Sequence, residues 1–142
     1  MKLSLKSRLL AFSAALVISV SALGALNPGA AKAAGGWTWI ASGYNSTLVA
    51  CNTSESGPYG PVWYVHMWLI EGSGYTSQAS VNVTRNGSVV NHIDMYAGPG
   101  QWTPGTIAAS KLYPDVISGS VSFRINTGVT FSVPAANISS CN

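Results

Sequence analysis

Residues 78–96 read QASVNVTRNGSVVNHIDMY. Val81 and Val83 point to one side of an extended chain, and Asn82 and Thr84 to the other, the period of a half-buried strand. Asn86-Gly87 interrupts two such runs at the spacing of a two-residue hairpin. A type I′ turn fits there, because both central residues need a positive φ. The segment therefore predicts a β-hairpin, Gln78–Arg85 with Ser88–Tyr96, and the chain on either side repeats the pattern.

Val121, Phe123 and Ile125 form a second alternating apolar set, and Val129, Phe131 and Val133 a third, with Ser122, Arg124, Thr130 and Ser132 on the water side. Asn126-Thr127-Gly128 joins them as a three-residue turn. Further strands are expected at Trp37–Ala41, Thr47–Cys51 and Val62–Glu71. The run from Val62 to Ile70 is apolar on both faces, which predicts a central strand whose second face is covered by loops, a partner or the N-terminal segment. Residues 97–118 are rich in Gly, Pro and Ala, and are expected to hold an edge strand or a short helix around Thr106–Leu112. Short β-branched and aromatic runs divided by Gly, Pro, Ser and Asn specify an all-β fold. The expectation is a single antiparallel β-sandwich of about seven strands over residues 34–142, with immunoglobulin-like spacing, an architecture shared by many functions.

The first 33 residues do not belong to that pattern. Lys2, Lys6 and Arg8 precede an apolar run from Leu9 to Leu26, and Ala31-Lys32-Ala33 offers a small-x-small cleavage site. This reads as a secretory signal peptide, which implies an extracellular protein. Removing it leaves Arg85, Lys111 and Arg124 against Glu55, Glu71, Asp94 and Asp115, a net charge of minus one. Three scattered cations cannot neutralise a run of phosphates, which argues against nucleic acid as a partner. No second apolar run is long enough to span a bilayer. Cys51 and Cys141 are the only cysteines, and in an exported chain they predict one disulfide. Asn-x-Ser/Thr sequons at Asn45, Asn52, Asn82, Asn86 and Asn137 discriminate little in a chain so rich in Asn, Ser and Thr.

Catalytic patterns are sparse. Only His66 and His92 are available as imidazole bases, and no nucleophile-elbow sequence occurs. Glu55 and Asp115 lie in expected loops, not as an opposed pair of carboxylates. His92-Ile93-Asp94 puts an imidazole and a carboxylate on one strand face, and a metal site would need His66 to join them. The plainer reading is a hydrogen-bonded His–Asp pair and a packed His66, so no cofactor is expected.

Aromatic residues carry the functional expectation. Trp37 and Trp39 share a strand face and are read as cover for an apolar sheet, while Trp63, Tyr64 and Trp68 belong to the central strand. Tyr44, Tyr59, Tyr75, Trp102 and Tyr113 fall instead beside Gly or Pro, where the chain turns. With seven alternating strands, the connections carrying Tyr44, Tyr75, Trp102 and Tyr113 gather at one end. Tyr59 and the two hairpin turns gather at the other. Rings on a rigid rim bury area with little rotamer loss. The expectation is a non-enzymatic module that binds carbohydrate or protein at a cell surface through Tyr44, Tyr75, Trp102 and Tyr113. Its rivals are a hydrolase inhibitor presenting Ser56–Pro61 or Gly98–Gly105, and an antimicrobial or toxin-like protein. The low charge argues against the last.

Overall fold

The computed structural model describes residues 36–124 and 127–142. Eight strands follow in chain order: β1 (Thr38–Gly43), β2 (Ser46–Gly57), β3 (Gly60–Ile70), β4 (Ser77–Arg85), β5 (Ser88–Ala97), β6 (Trp102–Ser110), β7 (Val116–Arg124) and β8 (Thr127–Pro134). A short 3-10 turn, Ala135–Asn137, precedes the C-terminal tail. All strand pairings are antiparallel and build two four-stranded sheets, β1-β2-β3-β6 and β5-β4-β7-β8. The expected all-β sandwich forms, with eight strands where about seven were expected: of the edge strand or short helix expected in residues 97–118, the strand forms, as β6. The leader expected at residues 1–33 lies outside the described residues, as do Ile125 and Asn126 of the last apolar set and turn.

One face of each sheet supplies the core. Leu48 and Ala50 from β2 and Val65, Met67 and Leu69 from β3 meet Ala79, Val81 and Val83 from β4 and Ile117, Val121 and Phe123 from β7. Each fully buried large side chain contributes roughly 1.5–3 kcal/mol. A bulge between Trp39 and Ala41 shifts the register of β1, so that Ile40 and Ala41 are both buried while Trp39 faces outward.

Turn chemistry follows the sequence at one hairpin and departs from it at another. Asn86 and Gly87 have φ of 49° and 80°, as the type I′ reading requires. The β1–β2 hairpin turns through Tyr44 and Asn45, also both at positive φ (50° and 60°), without a glycine. A left-handed tyrosine costs roughly 1–2 kcal/mol. Asn45 offsets this by donating from Nδ2 to the Gly72 carbonyl at 3.0 Å, pinning the turn to the β3–β4 connection.

At Gly119 the limit is space. It lies in β7 against β4, where an added β-carbon would run into the Ser80 carbonyl oxygen. Gly119→Ala is therefore expected to destabilise by about 1–3 kcal/mol. Gly128→Ala, whose β-carbon would meet only the Val121 carbonyl oxygen at 4.0 Å, should be near neutral. Urea midpoints of the two variants check the contrast.

The C-terminal tail completes the first sheet. β1 pairs with β2 only as far as Thr38 opposite Ala50. Beyond that point the tail takes over: Asn52 N–H donates to Ser139 O at 2.8 Å and Cys141 N–H to Asn52 O at 3.0 Å. The Asn52 side chain donates to Ile138 O, and Ser139 N–H donates to Thr38 Oγ1. The expected Cys51–Cys141 disulfide fastens this segment.

Candidate functional site

The strand β6 reverses the parity of everything after it. Had the chain crossed from β5 to β7 through a loop, Tyr113 would share an end with Tyr44 and Tyr75. With β6 inserted, Tyr113 falls at the opposite end, beside the Asn86-Gly87 turn, where the Arg85 guanidinium lies 4.1 Å from its ring centroid. The β7–β8 connection moves the other way. Arg124, next to it, lies over the rings of Tyr75 (5.0 Å) and Tyr44 (5.9 Å). Tyr44, Tyr75 and Trp102 thus share one end, where Glu71 N–H donates to Gln101 O at 2.9 Å and ties two of the loops together. Tyr113 does not join them.

Trp102 itself belongs to a larger aromatic surface. The register across β1, β2, β3 and β6 arranges the outer face of this sheet in rows. Ser42, Thr47, Ile70 and Trp102 form the first; Trp39, Val49, Trp68 and Pro104 the second. Cys51, His66 and Thr106 form the third; Thr53, Tyr64 and Ala108 the fourth. Trp102 is 65% exposed and Trp39 49%. Val49 is nearly buried although it faces outward, between the two tryptophans that oppose it in register. Trp68 and Trp102 meet edge to face with centroids 6.3 Å apart. Trp37 extends the surface along a shallow groove of about 340 Å³, bounded also by His66, Trp68, Thr106 and the disulfide. The second apolar face of β3, expected to lie under a cover, is this surface.

Its polar centre is a chain of three groups. Thr53 Oγ1 lies 3.0 Å from His66 Nε2, and His66 Nδ1 lies 3.1 Å from Thr106 Oγ1. An uncharged imidazole has one N–H and one lone pair. One threonine must therefore donate to the ring and the other accept from it, which leaves the accepting hydroxyl's own proton directed elsewhere. None of the four rows contains Asp, Glu, Lys or Arg.

The other sheet turns a different face to water: Ser80, Asn82, Ser118, Ser120, Thr130 and Ser132 occupy it in register. His92 and Asp94 are there too, with Nε2 to Oδ2 at 3.2 Å, and His92 Nδ1 lies 2.7 Å from Asn82 Oδ1. His66 is on the opposite face of the sandwich, so the three groups considered for a metal do not meet. Among the described residues no three His, Cys, Asp or Glu side chains cluster.

Two carboxylates have structural surroundings that the sequence did not announce. Glu71, 1% exposed, accepts from the hydroxyls of Ser46, Ser73 and Ser77 and from Ser73 N–H. Burial pushes its pKa up, but these donors outweigh it and hold the group below its ordinary 4.5. Asp115 takes a two-point contact from Arg85, at 2.7 and 2.9 Å, and Ser110 N–H at 2.8 Å. The Arg85 hydrogen bond is the main cause holding its pKa below 3.8.

The fold and surface thus define a disulfide-stapled β-sandwich with one aromatic and one hydroxyl-rich outer face. Comparison with known protein families, with curated proteins and with solved structures finds no match.

Proposed function

We propose that this chain is a secreted, non-enzymatic binding module whose aromatic sheet face recognises a carbohydrate or cell-envelope surface. The observation that carries the reading is the set Trp39, Trp68 and Trp102 around the Thr53–His66–Thr106 chain, in four rows that hold no charged side chain, with Glu55 one row beyond. A sugar ring has an apolar C–H face, which gains by stacking on indole, and a hydroxyl rim, which needs both donors and acceptors. This face offers both within one row spacing, about 7 Å. Export is supported by the leader pattern at residues 1–33 and by the Cys51–Cys141 bond. Of the rim residues expected to bind, Trp102 is retained in the site, with Tyr44 and Tyr75 at its edge. Tyr113 has one ring face occupied by Arg85 and is assigned a structural role.

The test is retention on insoluble envelope polysaccharide. Trp39→Ala and Trp102→Ala are each expected to weaken binding about tenfold or more. Both rings are half exposed, so unfolding midpoints should move little. Tyr113→Ala, at the other end of the sandwich with one ring face against Arg85, should spare binding. Unchanged retention in both tryptophan variants would refute the reading.

One observation favours inhibition of a hydrolase as a second reading. Tyr59 is 95% exposed at the tip of the β2–β3 hairpin, between Pro58 and Pro61. A preorganised loop of this kind lowers the entropy lost on docking. Capture of a secreted enzyme that depends on Tyr59 and not on Trp39 would support it.

A further inference from the structure

Resting on the carbohydrate reading, we infer that the ligand is an extended, uncharged, β-1,4-linked glycan running across the strands, with alternate sugars stacked on Trp39 and Trp68. Both residues oppose Val49 in register, on β1 and β3, and so stand two strands apart in one row. Adjacent strands are separated by about 4.8 Å, which puts the two positions about 10 Å apart. That is close to the length of an extended disaccharide. In a β-1,4-linked chain each ring is turned by half a revolution relative to the last. Equivalent ring faces therefore recur every second sugar, the interval at which the row presents indoles. An α-1,4-linked chain curls into a helix and cannot follow a straight row.

The remaining features of the face agree with this ligand. Between the two tryptophans Val49 is covered to 8% exposure, so the row presents its two indoles, and not the strand between them, to the glycan. Pro104 continues the row flat on β6, beside Trp68. The next row places His66 and Thr106 along the glycan's edge, with Thr53 one row beyond, and whichever threonine accepts from the imidazole turns its own proton to a sugar oxygen. With no ionised carboxylate, ammonium or guanidinium in the four rows, a uronic acid polymer finds no partner for its charge and loses hydration.

The experiment is calorimetric titration of the full chain with β-1,4-linked oligomers of glucose or N-acetylglucosamine, from two to six units. Maltotetraose and β-1,4-linked tetramannuronate serve as the α-linked and charged comparisons. Affinity should rise about tenfold between dimer and tetramer, when a second indole is engaged. Trp39→Ala should remove that step, leaving tetramer and dimer equal, while Thr106→Val should weaken both by the same factor. The inference is overturned if maltotetraose or tetramannuronate binds as well as the uncharged β-linked tetramer, or if Trp39→Ala weakens dimer and tetramer equally. In both cases carbohydrate recognition itself survives. Absence of binding to every oligomer and to the polysaccharide would sink both readings together.

Discussion

Asp115→Ala is expected to lower folding stability by about 3 kcal/mol, measured by urea unfolding at pH 7. The carboxylate is buried and gathers three donors from two elements: Arg85 Nε and Nη2 at the end of β4, and Ser110 N–H at the end of β6. Removing it leaves the Ser110 N–H without that acceptor. Arg85, still partly exposed, can rehydrate, so the loss stays below that of a fully stranded ion pair. Arg85→Met is the more revealing partner, since it leaves a buried carboxylate without its cation and should raise the pKa of Asp115. Wild-type stability should also depend on acid. Asp115 and Glu71 both have folded-state pKa values below their ordinary 3.8 and 4.5. Their contribution is complete above those values and is lost as pH falls through the lower folded ones. Urea midpoints should therefore be flat from pH 7 to about 5 and drop steeply below pH 4. An Asp115→Asn, Arg85→Met double variant should show a shallower drop.

These carboxylates illustrate what a sequence can and cannot announce. The hairpin through Asn86-Gly87 was legible because two residue types and a strict alternation all demand the same local geometry. The disulfide was legible because two cysteines permit one pairing within the chain. β6 was harder to read: Trp102–Ser110 contains Pro104, Gly105 and two alanines, and offers few β-branched residues. It pairs with β3 alone, and an edge strand tolerates a proline that a central one would not. At Gly105 an added β-carbon would come within 2.7 Å of the Met95 sulfur, so the methionine side chain would have to shift. Of the edge strand and short helix that residues 97–118 allow, only the strand reverses the direction of all later ones; a count of seven strands leaves it out, and counting it separates Tyr113 from Tyr44 and Tyr75. The aromatic face left a stronger trace: Tyr64, His66, Trp68 and Ile70 alternate with the core residues Val65, Met67 and Leu69. That signal said a second face existed; only the register said that Trp39 and Trp102 share it. Serines around Glu71 come from three separate segments, a convergence that no local pattern encodes.

Replacing both Cys51 and Cys141 by alanine is expected to cost about 4 kcal/mol. The bonded residues are 90 apart in sequence, and a loop of that length removes much of the unfolded chain's freedom. The effect should reside mainly in the unfolded state. In the folded one the tail keeps its hydrogen bonds with Asn52 and Thr38, which do not require the sulfur bridge. Two measurements separate this from simple fraying. Urea unfolding should show a larger slope for the variant, because the uncrosslinked chain exposes more surface. Exchange of the Asn52 amide and of the backbone amide that replaces that of Cys141, under conditions where the variant stays folded, should remain slow if the tail is still docked. Rapid exchange confined to those amides would place the loss in the native state instead. Cys141 borders the groove beside Trp37 and His66, so a detached tail would also weaken polysaccharide retention. A docked tail predicts the opposite: a chain about 4 kcal/mol less stable that binds as tightly as the parent.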